Sequence, residues 1–163
     1  MDTPVTGERL RIVAAGPRRD EYLPLLRLAD DSPDQIRGYY QHGDLYVLEA
    51  ADGVPLGVVL VLPRGGEVVE LKAVAVDTVR QGQGIGRRML ASVLSDLRSR
   101  GMKSAVVGTA SSGVGELAFY QKAGFRLRDV ERDYFSRARG YPDDLQDNGI
   151  SVRDMVWMDQ RLD

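Results

Sequence analysis

The sequence predicts a single α+β domain in three layers, with a mixed central sheet of about six to seven strands flanked by helices. Three observations support this fold class. Short apolar runs separated by turn signals occupy the first half of the chain, a strand with a glycine-rich turn and a long amphipathic helix follows, and a second strand–helix–strand passage comes after it. A chain of 163 residues fits one domain, 1–163, and can bury a core without disulfides or metals.

The N-terminal part of the chain predicts one strand and two helices. Residues 8–14 alternate in polarity closely enough to form a strand. Apolar positions recur at helical spacing in 18–28, which predicts the first helix. Ser32 followed by Pro33 is a favoured N-terminus for the second helix, because serine caps and proline suits the first turn.

Three antiparallel strands are expected next. Residues 44–50 and 54–62 are apolar runs joined by Asp52 and Gly53, and Asp-Gly between two such runs is a strong hairpin signal. A second turn leads into residues 67–76, the third strand of the series.

A glycine-rich turn connects the third of these strands to an amphipathic helix. Gly82, Gly84 and Gly86 stand at alternate positions, and apolar residues then recur every three or four positions up to Leu97. Glycine leaves the backbone bare where the helix begins, so several unpaired N–H groups can converge on one anion. The turn therefore predicts a phosphate site.

The C-terminal part predicts a strand, a helix and two further strands. Residues 104–109 have the composition of a short buried strand, and the helix after them stops at Gly124, before Phe125 returns to strand character. Residues 133–148 have no clear period, so we expect a flexible connection of the kind that often borders a site. Residues 150–158 are expected to form the last strand.

Composition excludes several classes of protein. Twenty-two Lys and Arg against 24 Asp and Glu give a net charge of −2, so no overall field attracts nucleic acid or an anionic membrane. The absence of cysteine excludes disulfides, thiolate metal sites and a covalent cysteine intermediate, and one histidine, His42, cannot build a metal cluster. These two counts lead us to expect no metal. The N-terminus lacks the basic and apolar regions of a signal peptide, so we expect a cytoplasmic protein.

The glycine turn departs from two common nucleotide-binding motifs. A P-loop carries Lys and Ser or Thr after its last glycine, whereas Arg87 and Arg88 follow here. A dinucleotide fingerprint would need its last glycine at position 87 or 89, which are Arg87 and Met89. ATP hydrolysis and NAD binding are therefore disfavoured.

Two motifs at this spacing together resemble the GNAT acyltransferase family. They are Gln-x-x-Gly-x-Gly over 81–86, after a strand, and Tyr-x-Lys-x-Gly-Phe over 120–125. The resemblance is close over 67–128 and elsewhere depends on the order of strands and helices. It implies the GNAT acyl-CoA N-acyltransferase fold and an N-acetyltransferase that moves an acetyl group from acetyl-CoA to a primary amine, by direct attack in a ternary complex.

The resemblance also implies which residues hold acetyl-CoA. The backbone of the turn would grip the pyrophosphate, and the main chain of the preceding strand would pair with the pantetheine amides. Arg87 and Arg88 either add contacts to phosphates or lie on a solvated helix face. Many family members carry an asparagine near the end of the next strand, where serines stand here. The cofactor-binding positions are Val74, Ala75, Val76, Gln81, Gly82, Gln83, Gly84, Ile85, Gly86, Arg87, Ser111 and Tyr120.

Two residues are candidates for the proton transfers that such a reaction needs. Glu70 matches the strand glutamate that is the base in histone-type and several other acetyltransferases; the alternative is an exposed strand residue paired with Lys72. Tyr120 matches the helix tyrosine that in this family protonates the coenzyme A thiolate or holds its sulfur; the alternative is an apolar core position.

The variable parts of the family, here 30–40 and 136–148, are expected to contact the acceptor. Asp30, Asp31 and Asp34 either receive a cationic amine or simply favour the start of a helix. Aromatic residues that could wall a small-molecule pocket are Tyr39, Tyr40, Tyr134, Phe135 and Tyr141.

A small-molecule amine is therefore the preferred acceptor. The alternatives are a catalytically silent acyl-CoA sensor and a protein or peptide N-acetyltransferase. Neither nucleic acid nor a membrane is expected as a partner. A homodimer stays open, since the last strand pairs across a dimer in some relatives.

Overall fold

The computed structural model describes residues 7–163, which form nine strands and four α-helices. The helices are α1 (Leu23–Ala29), α2 (Pro33–Tyr39), α3 (Ile85–Ser99) and α4 (Val114–Lys122), with short 3-10 helices at Pro17–Tyr22, Thr78–Arg80 and Arg137–Arg139. The strands are β1 (Arg9–Val13), β2 (Asp44–Glu49), β3 (Pro55–Pro63), β4 (Val68–Val76), β5 (Ser104–Ala110), β6 (Arg126–Glu131), β7 (Gln146–Asp147), β8 (Ile150–Ser151) and β9 (Met155–Arg161).

Seven of the strands form one mixed sheet in the order β1-β2-β3-β4-β5-β9-β6, and β7 and β8 form a separate small hairpin. The β1 to β4 neighbours are antiparallel, β4 and β5 are parallel, and β9 runs antiparallel to both β5 and β6. The three antiparallel strands predicted over 44–76 and the mixed sheet of six to seven strands are confirmed.

Helices cover both faces of the sheet, which gives the predicted three layers. One core cluster joins the apolar stripe of α3 to the sheet through residues such as Met89 and Leu90, which are fully buried. The second cluster lies on the opposite face, where Leu26 of α1 and Ile36 of α2 pack against β2, β3 and β4. The α3 stripe follows the spacing of three or four residues seen in the sequence, because that spacing places its side chains on one side of a helix.

A β-bulge interrupts β4 at Lys72. Leu60 of β3 pairs with Ala73 and the next residue, Val61, pairs with Leu71, so Lys72 is one residue in excess. Consequently Val69 and Leu71 face the α3 cluster, whereas Ala73 and Ala75 face the α1 and α2 cluster. The bulge thus changes which residues of the strand face each layer.

Three expectations need correction. The last strand begins at Met155, not at residue 150, because residues 150–151 turn away to form the small hairpin with β7. The segment 133–148, expected to be a flexible connection, contains a 3-10 helix and β7. The first predicted helix is a 3-10 turn followed by α1, since Pro24 lies in the first turn of the α-helix.

Within residues 7–163, the last strand has no edge free for the dimer contact that the sequence left open. β9 lies between β5 and β6 and uses both of its edges inside the sheet.

None of the helices in the described part of the chain combines the length and apolar content needed to cross a lipid bilayer.

Candidate active site

A gap opens in the centre of the sheet where β4 and β5 separate. Their parallel pairing ends at Leu71 and Val107, directly before the bulge, although β4 continues to Val76 and β5 to Ala110. The edge of β4 that faces the gap therefore has no neighbouring strand over its second half. Beside the gap lies a cavity of about 410 Å³, here called the central cavity, lined by β4, β5, α4, the α1–α2 connection and residues 134–147.

Glu70 of β4 lines the central cavity and is 8% exposed. Its carboxylate is 3.3 Å from a guanidinium nitrogen of Arg64, which lies in the turn between β3 and β4. Lys72, the partner considered from the sequence, lies over the ring of Tyr39 instead, with its ammonium 5.1 Å from the ring centre. Glu70 is therefore a buried carboxylate that faces a cavity and has one cationic partner.

Tyr120 of α4 lines the same cavity and is 7% exposed. Its ring packs edge-on against Phe119 and Phe125, with centres 5.1 and 5.8 Å away. Burial, and secondarily the charge of Glu116 one helical turn earlier, raises the pKa of the Tyr120 phenol. The phenol consequently stays protonated at neutral pH and can donate a proton or a hydrogen bond.

The glycine turn lies at the N-terminus of α3, as predicted. Gly82 and Gly84 adopt the left-handed conformation, with φ of 82° and 75°, and Gly84 is the N-cap residue. A side chain on Gly86 would lie 3.4 Å from Val76 and 3.5 Å from Phe119, so the turn packs closely between β4 and α4. No side chain within residues 7–163 caps the helix, and the main-chain N–H groups of a turn of this kind can bind an anion.

The other residues of the predicted acetyl-CoA site differ in their surroundings. The side-chain amide of Gln81 donates to the carbonyl of Val76 at 3.2 Å and joins the turn to β4. Arg88 donates to the carbonyl of Gln83 at 3.0 Å and pairs with Glu8 at 2.8 Å, whereas Arg87 is exposed. Ile85 has a core side chain, so only its main chain could face a ligand.

Ser111 lies in the turn between β5 and α4, outside the lining of the central cavity. Its amide donates to the carbonyl of Asp154 at 2.9 Å. The neighbouring Ser112 is completely buried, and its hydroxyl has no hydrogen-bond partner within residues 7–163.

Residues 134–148, here called the roof segment, are anchored on two sides of the central cavity. Tyr141 donates a hydrogen bond of 2.8 Å to Asp30 in the α1–α2 connection, and the Ser32 hydroxyl donates to the carbonyl of Arg139, also at 2.8 Å. Asn148 donates to the carbonyl of Ser112 at 2.9 Å on the β5–α4 side. These contacts hold the segment that was expected to be flexible.

The charges around the central cavity are predominantly negative. Asp31 and Asp147 line it from the α1–α2 connection and from β7, and neither makes an ion pair with another residue in 7–163. Burial raises the pKa of Asp31, and the nearby charges of Asp30 and Asp147 add to the rise. The charged residues of the lining are Asp30, Asp31, Glu70, Lys72, Glu116 and Asp147.

The structure thus separates the predicted acceptor residues into two groups. Asp30 and Asp31 face the cavity, whereas Asp34 lies exposed on α2 and pairs with Arg37. Of the aromatic candidates, Tyr134, Phe135 and Tyr141 line the cavity, Tyr39 donates to Asp30 at 2.9 Å, and Tyr40 contacts Asp20 away from the lining.

Sequence reasoning missed three charged residues near the cavity. Arg64 and Asp147 lie in segments that gave no periodic signal, so only the fold brings them to the site. Glu116 could have been found, because it precedes Tyr120 by four residues on a helix and therefore shares its face. No group of three or more acidic or histidine side chains in 7–163 is arranged to hold a metal ion.

Comparison with known proteins decides the family. Residues 17–125 match the sequence model of the Acetyltransferase (GNAT) family. The chain belongs to the GNAT acetyltransferase family. Membership of the GNAT family and its fold, both predicted from the two motifs, are confirmed, and so is the enzyme class, an acetyltransferase.

Several relatives resemble this GNAT protein over nearly its full length. The uncharacterized N-acetyltransferase YvbK of Bacillus subtilis (strain 168) is 34% identical over 149 residues, which cover 91% of this chain and 94% of YvbK. The IAA acetyltransferase from Bacillus cereus ATCC 14579 is 35% identical, with a TM-score of 0.82 and coverage of 94% of this chain and 99% of its own.

A third relative was solved with a bound ligand. A GNAT family acetyltransferase from Elizabethkingia anophelis with acetyl-CoA bound is 31% identical and has a TM-score of 0.86, with coverage of 96% of this chain and 99% of its own.

Proposed function

We propose that this GNAT protein transfers the acetyl group of acetyl-CoA to a primary amine of a small cationic molecule, by direct attack in a ternary complex. The observation that carries the proposal is the central cavity, which the roof segment covers, whose charged lining residues are mainly carboxylates, and which Glu70 and Tyr120 share. A buried carboxylate and a buried phenol on one cavity supply the acceptor and the donor of protons that aminolysis of a thioester requires.

Acetyl-CoA fits two features of the chain. The uncapped N-terminus of α3, with its left-handed Gly84, offers main-chain N–H groups to a pyrophosphate. The unpaired edge of β4 beyond Leu71 offers main-chain groups of Val74, Ala75 and Val76 to an extended chain of amides. When bound there, acetyl-CoA supplies the activated acetyl group.

Replacing Gly84 by Ala should raise the KM for acetyl-CoA about tenfold, since a left-handed Ala costs roughly 1–2 kcal/mol and the turn would rearrange. Gly101→Ala is the matched control, because Gly101 has a φ of 84° with open space around it and lies beyond the other end of α3. Steady-state kinetics of both variants checks the prediction. An equal KM in the two variants would show that the turn does not bind the donor.

Glu70 and Tyr120 divide the proton transfers. The amine must be neutral to attack, and Glu70, held in the cavity wall, accepts a proton from it. The departing thiolate needs a proton, and Tyr120 on α4 holds one at its phenolic oxygen. The two residues lie on different elements, β4 and α4, of the same cavity.

The roof segment favours a small acceptor over a protein substrate. Its hydrogen bonds to Asp30 and Ser112 join the two sides of the central cavity, so a long peptide would have to displace them to lie across the site. A cavity of about 410 Å³ matches a small molecule, for which pockets of roughly 300–1,000 Å³ are usual.

A double variant, Asp31→Asn with Asp147→Asn, should raise the KM for a diamine such as putrescine roughly tenfold, and the KM for a monoamine of similar length much less. The two carboxylates lie on the lining without a cationic partner in 7–163, so a second ammonium group of the acceptor would pair with them. Because the pKa of Asp31 is raised, this carboxylate loses its charge early as the pH falls. We therefore expect the wild-type KM for the diamine to rise toward acid pH, more steeply than in the variant.

Release of thiol from acetyl-CoA, measured with and without a panel of small amines and N-terminal peptides, tests the proposal as a whole. Amine-dependent release with small cations supports it. Tight binding of acetyl-CoA without such release would identify a sensor, and a preference for peptides would identify a protein N-acetyltransferase.

A further inference from the structure

The turn between β3 and β4 directs one arginine toward Glu70. Gly65 and Gly66 adopt positive φ angles of 98° and 60°, which reverse the chain sharply. The amide of Arg64 donates to the carbonyl of Val68 at 2.9 Å and closes the turn. The guanidinium then reaches back along β4 to Glu70, at 3.3 Å.

Trp157 of β9 supports this arginine from two strands away. The Arg64 guanidinium lies over the indole, 5.2 Å from the ring centre, in the geometry of a cation–π contact. Gly108 of β5 pairs with Trp157, and a side chain there would come within 2.9 Å of the indole, so glycine makes room for the ring. The indole N–H donates to Glu131 of β6 at 3.2 Å, which fixes the ring in its plane.

Arg64 approaches Glu70 from outside the central cavity. It lines a separate cavity of about 280 Å³, together with Trp157, Glu131 and Arg128. An arginine in this position would not touch the acceptor amine, so its contact with the reaction runs through Glu70 alone.

We propose that Arg64 is a positioning residue for the reaction: it orients the Glu70 carboxylate toward the central cavity, and Trp157 holds Arg64 in place. The inference depends on the proposed function, in which Glu70 accepts the proton of the amine. A guanidinium at this distance pairs with a carboxylate oxygen and restricts the rotation of the carboxylate.

Other ionisable groups line the same cavity. They are Asp30 and Asp31 from the α1–α2 connection, Lys72 from β4, Glu116 from α4 and Asp147 from β7, with three tyrosines. Arg64 is distinguished from them by its direct ion pair with Glu70.

Arg64→Met tests the inference, with Arg128→Met as its matched control. Both arginines are partly exposed and line the separate cavity, but Arg128 pairs with Asp159 instead of Glu70. We expect Arg64→Met to lower kcat/KM for the amine about tenfold, because the Glu70 carboxylate loses the contact that fixes its orientation. Arg64→Lys should restore part of the rate, and Arg128→Met should match the wild type within about twofold.

A cycle with Glu70→Gln separates positioning from a general loss of stability. If Arg64 acts through Glu70, adding Arg64→Met to Glu70→Gln should cause little further loss. Fully additive losses, or an Arg64→Met enzyme with the wild-type kcat/KM for the amine, would overturn the inference. Wild-type protein without amine-dependent thiol release would instead refute the proposed function.

Discussion

Replacing Tyr120 by Phe should lower kcat by about 10²-fold while the KM for acetyl-CoA stays within about threefold, since general acids typically contribute 10²–10⁴-fold. The variant removes only the phenolic oxygen and leaves the edge-on ring contacts with Phe119 and Phe125 intact. Burial and the Glu116 charge raise the pKa of this phenol, so it holds its proton throughout the working range. The loss should therefore be the same at every pH.

Tyr134→Phe is the matched control for Tyr120→Phe. Tyr134 is also buried, at 6% exposure, and also lines the central cavity, but it belongs to the roof segment. Equal losses in the two variants would mean that a phenol contributes only to packing or to acceptor binding. A normal kcat in Tyr120→Phe would remove this residue from the mechanism and leave the fold and the donor site unaffected.

Replacing Glu70 by Gln should lower kcat/KM for the amine by about 10²–10⁴-fold, the range expected for loss of a general base. Glutamine keeps the size of the side chain and can still accept a hydrogen bond from Arg64, so the change isolates proton acceptance. Steady-state kinetics with the amine as the varied substrate checks this expectation.

Glu116→Gln controls for the second carboxylate on the cavity wall. Glu116 is exposed and lies on α4, one helical turn before Tyr120. Replacing it changes the charge near the cavity and leaves the carboxylate on β4 in place. We expect a loss of no more than about threefold, as for a partly screened charge. A larger loss in Glu116→Gln than in Glu70→Gln would assign the base to α4.

The geometry of the glycine turn and of α3 could be predicted because its signals are local. Gly84 and the apolar stripe of α3 lie in one continuous stretch, where glycine conformation and helical period are dictated by neighbours in sequence. Tyr120 is placed by the same kind of signal on the next helix. Such features do not depend on how the remainder of the chain packs.

The contacts that hold the roof of the central cavity could not be predicted, because they join distant segments. Asp30 and Tyr141 are 111 residues apart and meet through one hydrogen bond, and Asn148 reaches Ser112 across 36 residues. No period or turn signal encodes such contacts. The start of the last strand was predicted wrongly for the same reason, since residues 150–151 pair with β7, which belongs to the roof segment.

The bulge at Lys72 fixes which face of the sheet each residue between the proposed base and the glycine turn occupies. Side chains alternate along a strand. Inserting or deleting one residue between Glu70 and Val76 would therefore move every side chain on one side of the change to the opposite face of the sheet. Substitutions in this stretch alter single contacts, whereas a change in its length would either turn Glu70 away from the cavity or misdirect Val76 beneath the turn. The distance in sequence from Glu70 to the turn is therefore a structural parameter in its own right, and family members that share it can be expected to share the orientation of this carboxylate.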